Sequence, residues 1–105
     1  MQKPRVLAIE KGGTLVQAKH KGKDYYEPVK GKSVFARIKG ISSIARLEIE
    51  KLEAIDSTDM ITPDRIKIAR TIYEHTNDFD GFVVAQGTDT AVETACALTF
   101  MLQRL

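Results

Sequence analysis

The sequence predicts an α/β fold: an open, mainly parallel sheet with flanking helices. Two observations carry this expectation. Short apolar runs at Arg5 to Ile9 and Phe82 to Ala85 are bounded by proline, glycine or Asp-Gly, as buried strands are. Two stretches with helical spacing follow later strands, and strands that alternate with helices imply right-handed crossovers and parallel pairing.

Arg5 to Ile9 follows Pro4 and leads to Gly12-Gly13. Residues 10–33 hold four of the seven glycines and many lysines, so they read as a mobile loop or a hairpin. Val34 to Ile38 fits one short helical turn. From Ile44 to Leu52, Arg46, Glu48 and Glu50 interleave with Leu47 and Ile49. This alternation reads as a strand with one wet face, near a sheet edge. Ile55 to Met60 is a polar loop. Thr62-Pro63-Asp64 then combines a capping residue, a proline for the first turn and an acid near the helix start. Ile66, Ala69, Ile72 and Tyr73 recur at helical spacing, which predicts an amphipathic helix over 63–75. Asp80-Gly81 is a turn, and Gln86 to Thr90 a loop. Ala91 to Leu102 is apolar on almost every face, so it predicts a helix buried against something large. Cys96, within that helix, reads as a small buried hydrophobe.

A length of 105 residues fits one domain, 1–105. With 43% hydrophobic and 29% charged residues, the composition is that of a soluble globular protein. A net charge of +2 is too small to indicate nucleic acid. Lys19-His20-Lys21-Gly22-Lys23 has no interleaved aromatics and reads as a solvated loop. His20 and His75 lack metal-ligand spacing, and Gly12-Gly13 does not complete a dinucleotide fingerprint. No apolar run reaches membrane-spanning length, and the run after Arg5 is too short for a signal peptide. The single cysteine, Cys96, leaves no intrachain disulfide, which fits a cytoplasmic location. No nucleic acid and no membrane are expected as partners.

Three polar segments follow strand C-termini: Gly12-Gly13-Thr14, Asp56-Ser57-Thr58-Asp59, and Gly87-Thr88-Asp89-Thr90. In an open α/β sheet that edge is where ligands bind. A threonine hydroxyl becomes a nucleophile when a neighbouring base takes its proton. Attack on an amide carbonyl also needs donors aimed at the developing oxyanion, and backbone N–H groups in a glycine-rich loop can supply them. Gly12 and Gly13 let the backbone bend so that Thr14 faces such a cleft. Taken singly, each segment has a plainer reading. Gly-Gly-Thr can be a turn, Asp56 and Ser57 a local turn pair, and Thr88 and Asp89 caps for the last helix.

Together, and joined to Asp80-Gly81-Phe82-Val83-Val84, the three segments resemble the L-asparaginase family in content and order. The resemblance is strongest over 44–102. It implies the first portion of the asparaginase N-terminal domain and hydrolysis of the side-chain amide of asparagine through a threonyl acyl intermediate. It implies Thr14 as the nucleophile, assisted by Tyr25 or its neighbour Tyr26, with Gly13 in the nucleophile loop. Thr88 becomes a second catalytic threonine. Asp89 joins a charge relay and receives the substrate's α-amino group beside Gly87. Ser57, backed by Asp56, holds the α-carboxylate. No cofactor or metal is implied.

The chain also departs from the family. Gln86 stands where a histidine is usual, and Lys11 where a small or hydroxyl residue precedes the glycine pair. Family enzymes are about three times longer, and by resemblance their catalytic lysine lies in the remaining part. The domain therefore reads as incomplete at its C-terminus. That favours a homo-oligomer, or a complex with a chain supplying the missing C-terminal region. Lys11 is expected to be solvated, the alternative being a stand-in for the family's lysine. Two other functions fit the same resemblance: a non-catalytic amino-acid-binding or assembly module, and the asparaginase-like component of a tRNA-dependent amidotransferase that acts on glutamine.

Overall fold

The computed structural model describes residues 2–11, 17–19, 26–28, 35, 38–52 and 59–103 of the chain. Its elements are β1 (Arg5–Glu10), β2 (Gln17–Lys19), β3 (Tyr26–Pro28), β4 (Arg46–Lys51), α1 (Thr62–Glu74), β5 (Gly81–Ala85) and α2 (Ala91–Met101). β4, β1 and β5 form a parallel sheet in that order. β2 and β3 pair antiparallel, with Gln17 opposite Pro28, as a hairpin reading of this stretch requires. Ile38 N–H donates to the Phe35 carbonyl at 3.2 Å, while residues 34, 36 and 37 of the turn expected over 34–38 lie outside the described residues.

The apolar runs end up where their patterning directs them. β1 is the central strand, and Leu7, Ala8 and Ile9 are all buried. The register sets Leu7 beside Phe82 and Glu48, and Ile9 beside Val84 and Glu50. Side chains paired across a sheet share a face. Leu7 and Ile9 therefore face α1, whose Ile68 and Ile72 complete the core with Met60. Leu98 and Leu102 pack against the same cluster. β4 is an edge of this sheet, as its alternating pattern implies. Its charged residues Glu48 and Glu50 lie on the helix-bearing face. There Glu50 lines a groove of about 570 Å³ with Lys67 and Arg70 of α1.

The turn before β5 is fastened to the start of β1. Arg5 N–H donates to Asp80 Oδ2 and Asp80 N–H to the Arg5 carbonyl, each at 2.8 Å. The Arg5 guanidinium lies 4.9 Å from the Phe79 ring centroid, a cation–π stack. Its ion pair with Glu48, at 2.9 Å, is exposed and contributes little.

Three expectations are corrected. The N-cap of α1 is Ile61, with Thr62 already helical. Ile61 has no side-chain acceptor, so Asp64 does the capping: its Oδ2 accepts from Ile61 N–H at 3.0 Å. This is the reaching-back half of a capping box. Helix α2 is not buried. Thr94 is its one buried residue, while Val92, Phe100 and Met101 are exposed. Its all-round apolar character exceeds what one layer against α1 and the sheet can cover. Cys96 is consequently exposed rather than a core hydrophobe.

Ile68 has no solvent exposure and sits at the centre of the core. Ile68→Ala is expected to destabilise the fold by about 2–5 kcal/mol, the usual cost of such a truncation. Urea unfolding followed by circular dichroism measures it.

Candidate active site at the sheet's C-terminal edge

Parallel strands end at one edge, and backbone bonds bring the three chain exits there into contact. Lys11 N–H donates to the Ala85 carbonyl at 2.8 Å, and Leu52 N–H to the Glu10 carbonyl at 2.9 Å. The chain therefore leaves β1 at Lys11, β4 at Leu52 and β5 at Gln86 from neighbouring positions. Gly12, Gly13, Thr14, Tyr25, Asp56 and Ser57 lie outside the described residues. What is described is the edge from which their segments leave, together with the third loop.

That third loop is well defined. Gly87 is buried, Thr88 and Asp89 are exposed, and Thr88–Thr90 form a 3₁₀ turn leading into α2. Thr90 is the N-cap of α2 and makes no side-chain capping bond. Gln86 braces the turn from inside: its Nε2 donates to the Gly87 carbonyl at 3.1 Å, with Thr90 Oγ1 at 3.5 Å. Its Oε1 is buried and has no hydrogen-bond partner among the described residues, and a buried acceptor of this kind calls for one. α2, on which the turn is mounted, is tied to α1 by Arg65 Nε, which donates to the buried hydroxyl of Thr94 at 3.0 Å.

Lys11 departs from the reading of it as solvated. Its residue is 1% exposed. Its Nζ lies 3.6 Å from Asp64 Oδ1, whose side chain is 18% exposed. Side chains alternate along an extended chain, so Lys11 falls on the face of Leu7 and Ile9, beneath the start of α1. Period 2 continued past Ile9 would have signalled this, and an acid at the third position of the next helix names the partner. Nothing in sequence spacing pairs Arg65 with Thr94. Among the described residues, no group of three or more histidine, cysteine, aspartate or glutamate side chains could hold a metal ion. No helix described is long and apolar enough to cross a membrane.

With this geometry in place, comparison with known proteins is decisive. The family model for the asparaginase N-terminal domain matches residues 5–105. The chain belongs to the asparaginase family. L-asparaginase 1 of Escherichia coli K12 is 51% identical over 51 residues, which are 49% of this chain and 15% of that protein. A glutamyl-tRNA(Gln) amidotransferase component from Thermoplasma acidophilum is 39% identical over 49 residues, 47% of this chain and 12% of that one. Among solved structures, a probable cytoplasmic L-asparaginase of Campylobacter jejuni superposes with a TM-score of 0.81 at 26% identity. That match covers 91% of this chain and 31% of the other. The asparaginase-family chain thus spans 15% of the E. coli relative and about a third of the C. jejuni structure.

Since α2 carries the Thr88–Thr90 turn, its tie to α1 is measurable. Thr94→Val keeps the shape and strands the Arg65 Nε donor. It is expected to cost about 1–3 kcal/mol, the penalty for orphaning a partly buried polar group, read from the urea midpoint at unchanged m-value.

Proposed function

We propose that this chain is the nucleophile-bearing domain of an amidohydrolase that converts asparagine to aspartate and ammonia. One observation carries the reading. Within an asparaginase-family fold, three strand exits meet at one sheet edge, with Thr88 and Asp89 exposed there on a turn held by Gln86. Family membership and the motif order supply the roles. Thr14 Oγ attacks the side-chain carbonyl as its proton is drawn off with the assistance of Tyr25 or Tyr26. Backbone N–H groups of the glycine loop steady the oxyanion. The C–N bond breaks, ammonia leaves with the proton, and water hydrolyses the threonyl ester. Ser57, with Asp56 behind it, takes the α-carboxylate. Asp89 takes the α-amino group, and Thr88 relays protons at the reacting end. A cytoplasmic location accords with the lone cysteine.

The chain is further proposed to act in association, as a homo-oligomer or with a chain that supplies the rest of the family fold. The support is apolar surface: Phe100 is 74% and Val92 73% exposed on α2, more than an isolated helix face usually leaves to water. A second reading, in which the same site takes ammonia from glutamine for tRNA-linked amidation, is favoured by the likeness to the amidotransferase component.

Ammonia release from asparagine and glutamine tests both readings, with the chain alone and mixed with a chain carrying the remaining family fold. Asparagine turnover is expected in the mixture. Thr88→Ala should lower it by about 10²–10⁴-fold, the usual worth of a positioned proton-transfer group, and Thr14→Ala, which removes the nucleophile itself, by more than that. Full turnover in Thr14→Ala would remove it as nucleophile, and turnover of glutamine alone would select the second reading.

A further inference from the structure

The buried Lys11–Asp64 contact has no role in the reaction just described. An ammonium taken out of water is costly unless it is paired. Lys11 is immediately followed by Gly12, the first residue of the nucleophile loop, and glycine adds no side chain to fix the direction of the chain. Its backbone is fixed to β5 through Ala85, and its side chain reaches the first turn of α1. Asp64 uses both oxygens: Oδ1 faces Lys11 Nζ at 3.6 Å, and Oδ2 accepts from Ile61 N–H at 3.0 Å. Ile61 and the buried Met60 are where the Asp56–Ser57 segment returns to the fold. One carboxylate thus joins the exit of β1 to the entry of α1, on the two segments that carry Thr14 and Ser57.

We propose that Lys11 and Asp64 form a positioning pair that fixes the exit of β1, from which the Thr14 segment starts, relative to the start of α1, at which the Ser57 segment ends. Its catalytic consequence rests on the reading of Thr14 as nucleophile. The pair does not touch substrate. It fixes the point from which the Gly12–Thr14 backbone starts, relative to the segment ending at Met60. A displacement of about 1 Å at a reacting group can cost about 100-fold in rate.

Three variants of the full chain test this. Lys11→Met removes the cation with little loss of length. Asp64→Asn removes the anion and keeps an oxygen for the Ile61 N–H. The double variant K11M/D64N leaves no unpaired charge behind. Amide exchange at Gly12 to Thr14 and at Ile61, followed by NMR, reads the coupling directly. Labelling of Thr14 by an electrophilic diazoketone analogue of asparagine, in the mixture with a chain carrying the remaining family fold and followed by mass spectrometry, reads the catalytic effect. Each single variant should raise exchange in both segments. Each should also lower the limiting labelling rate about 100-fold while the half-saturating concentration stays near that of the parent. The double variant should recover the melting temperature without recovering the labelling rate. Recovery of both together, or unchanged exchange in the single variants, would overturn the proposal. A parent chain that is never labelled at Thr14 even in that mixture would instead count against the amidohydrolase reading, and the exchange data would still decide whether the pair couples the two segments.

Discussion

Every feature of the candidate site depends on the parallel pairing of β1 between β4 and β5. Parallel strands cannot be joined by tight hairpins, so each connection must cross the sheet and return. All three strands consequently release the chain at the same edge. The bonds from Lys11 to Ala85 and from Leu52 to Glu10 carry the ladder one step past the strands, so the exits are adjacent. Segments separated by more than seventy residues, those of Thr14 and Thr88, thereby leave neighbouring strands. The apolar residues of β1 make this arrangement the stable one. Leu7 and Ile9 are buried only while α1 crosses over them, and α1 reaches that position only by following β4.

At the end of this strand the same constraint turns from apolar to electrostatic. Lys11 continues the inward series of Leu7 and Ile9, and a cation there would be destabilising without a partner. Asp64 supplies the partner from the helix that the crossover has just placed. Its other oxygen closes the open N–H of Ile61 at a helix start whose cap residue has no polar side chain. Pairing, capping and the crossover are therefore mutually dependent. Gln86 has a comparable position at the end of β5, where its amide nitrogen holds the Gly87–Thr90 turn and its buried oxygen has no partner among the described residues.

The sheet and its helices were legible in the sequence because their signals are local. The run from Arg5 to Ile9, the alternation through Arg46 to Lys51 and the helical spacing from Ile66 to Tyr73 each declare their element within a few residues. The three loop motifs were legible for the same reason, as were their positions after strands. What escaped was non-local or split between two signals. Lys11 reads as polar and solvated by residue type, while strand periodicity assigns it inward, and periodicity governs. Thr62 is a good capping residue by type, yet it lies inside the helix, and the acid two positions later does the capping. The outward face of α2, by contrast, is legible in its pattern, because apolar residues spread over more than one helical face exceed what one layer can cover, and Val92, Phe100 and Met101 are exposed. Arg65 and Thr94 meet only once both helices are docked.

The central claim is that the loops after β1, β4 and β5 act as one site for a small amino acid. Titration of the isotopically labelled chain with L-asparagine, followed by amide and methyl NMR, tests it most directly. The expected result is one saturable event that shifts Gly13, Thr14, Ser57, Thr88 and Asp89 with a common affinity. It should leave the outer surface around Val92 and Phe100 unmoved. Shifts confined to a single loop, or separate affinities for the β1 and β5 exits, would contradict it.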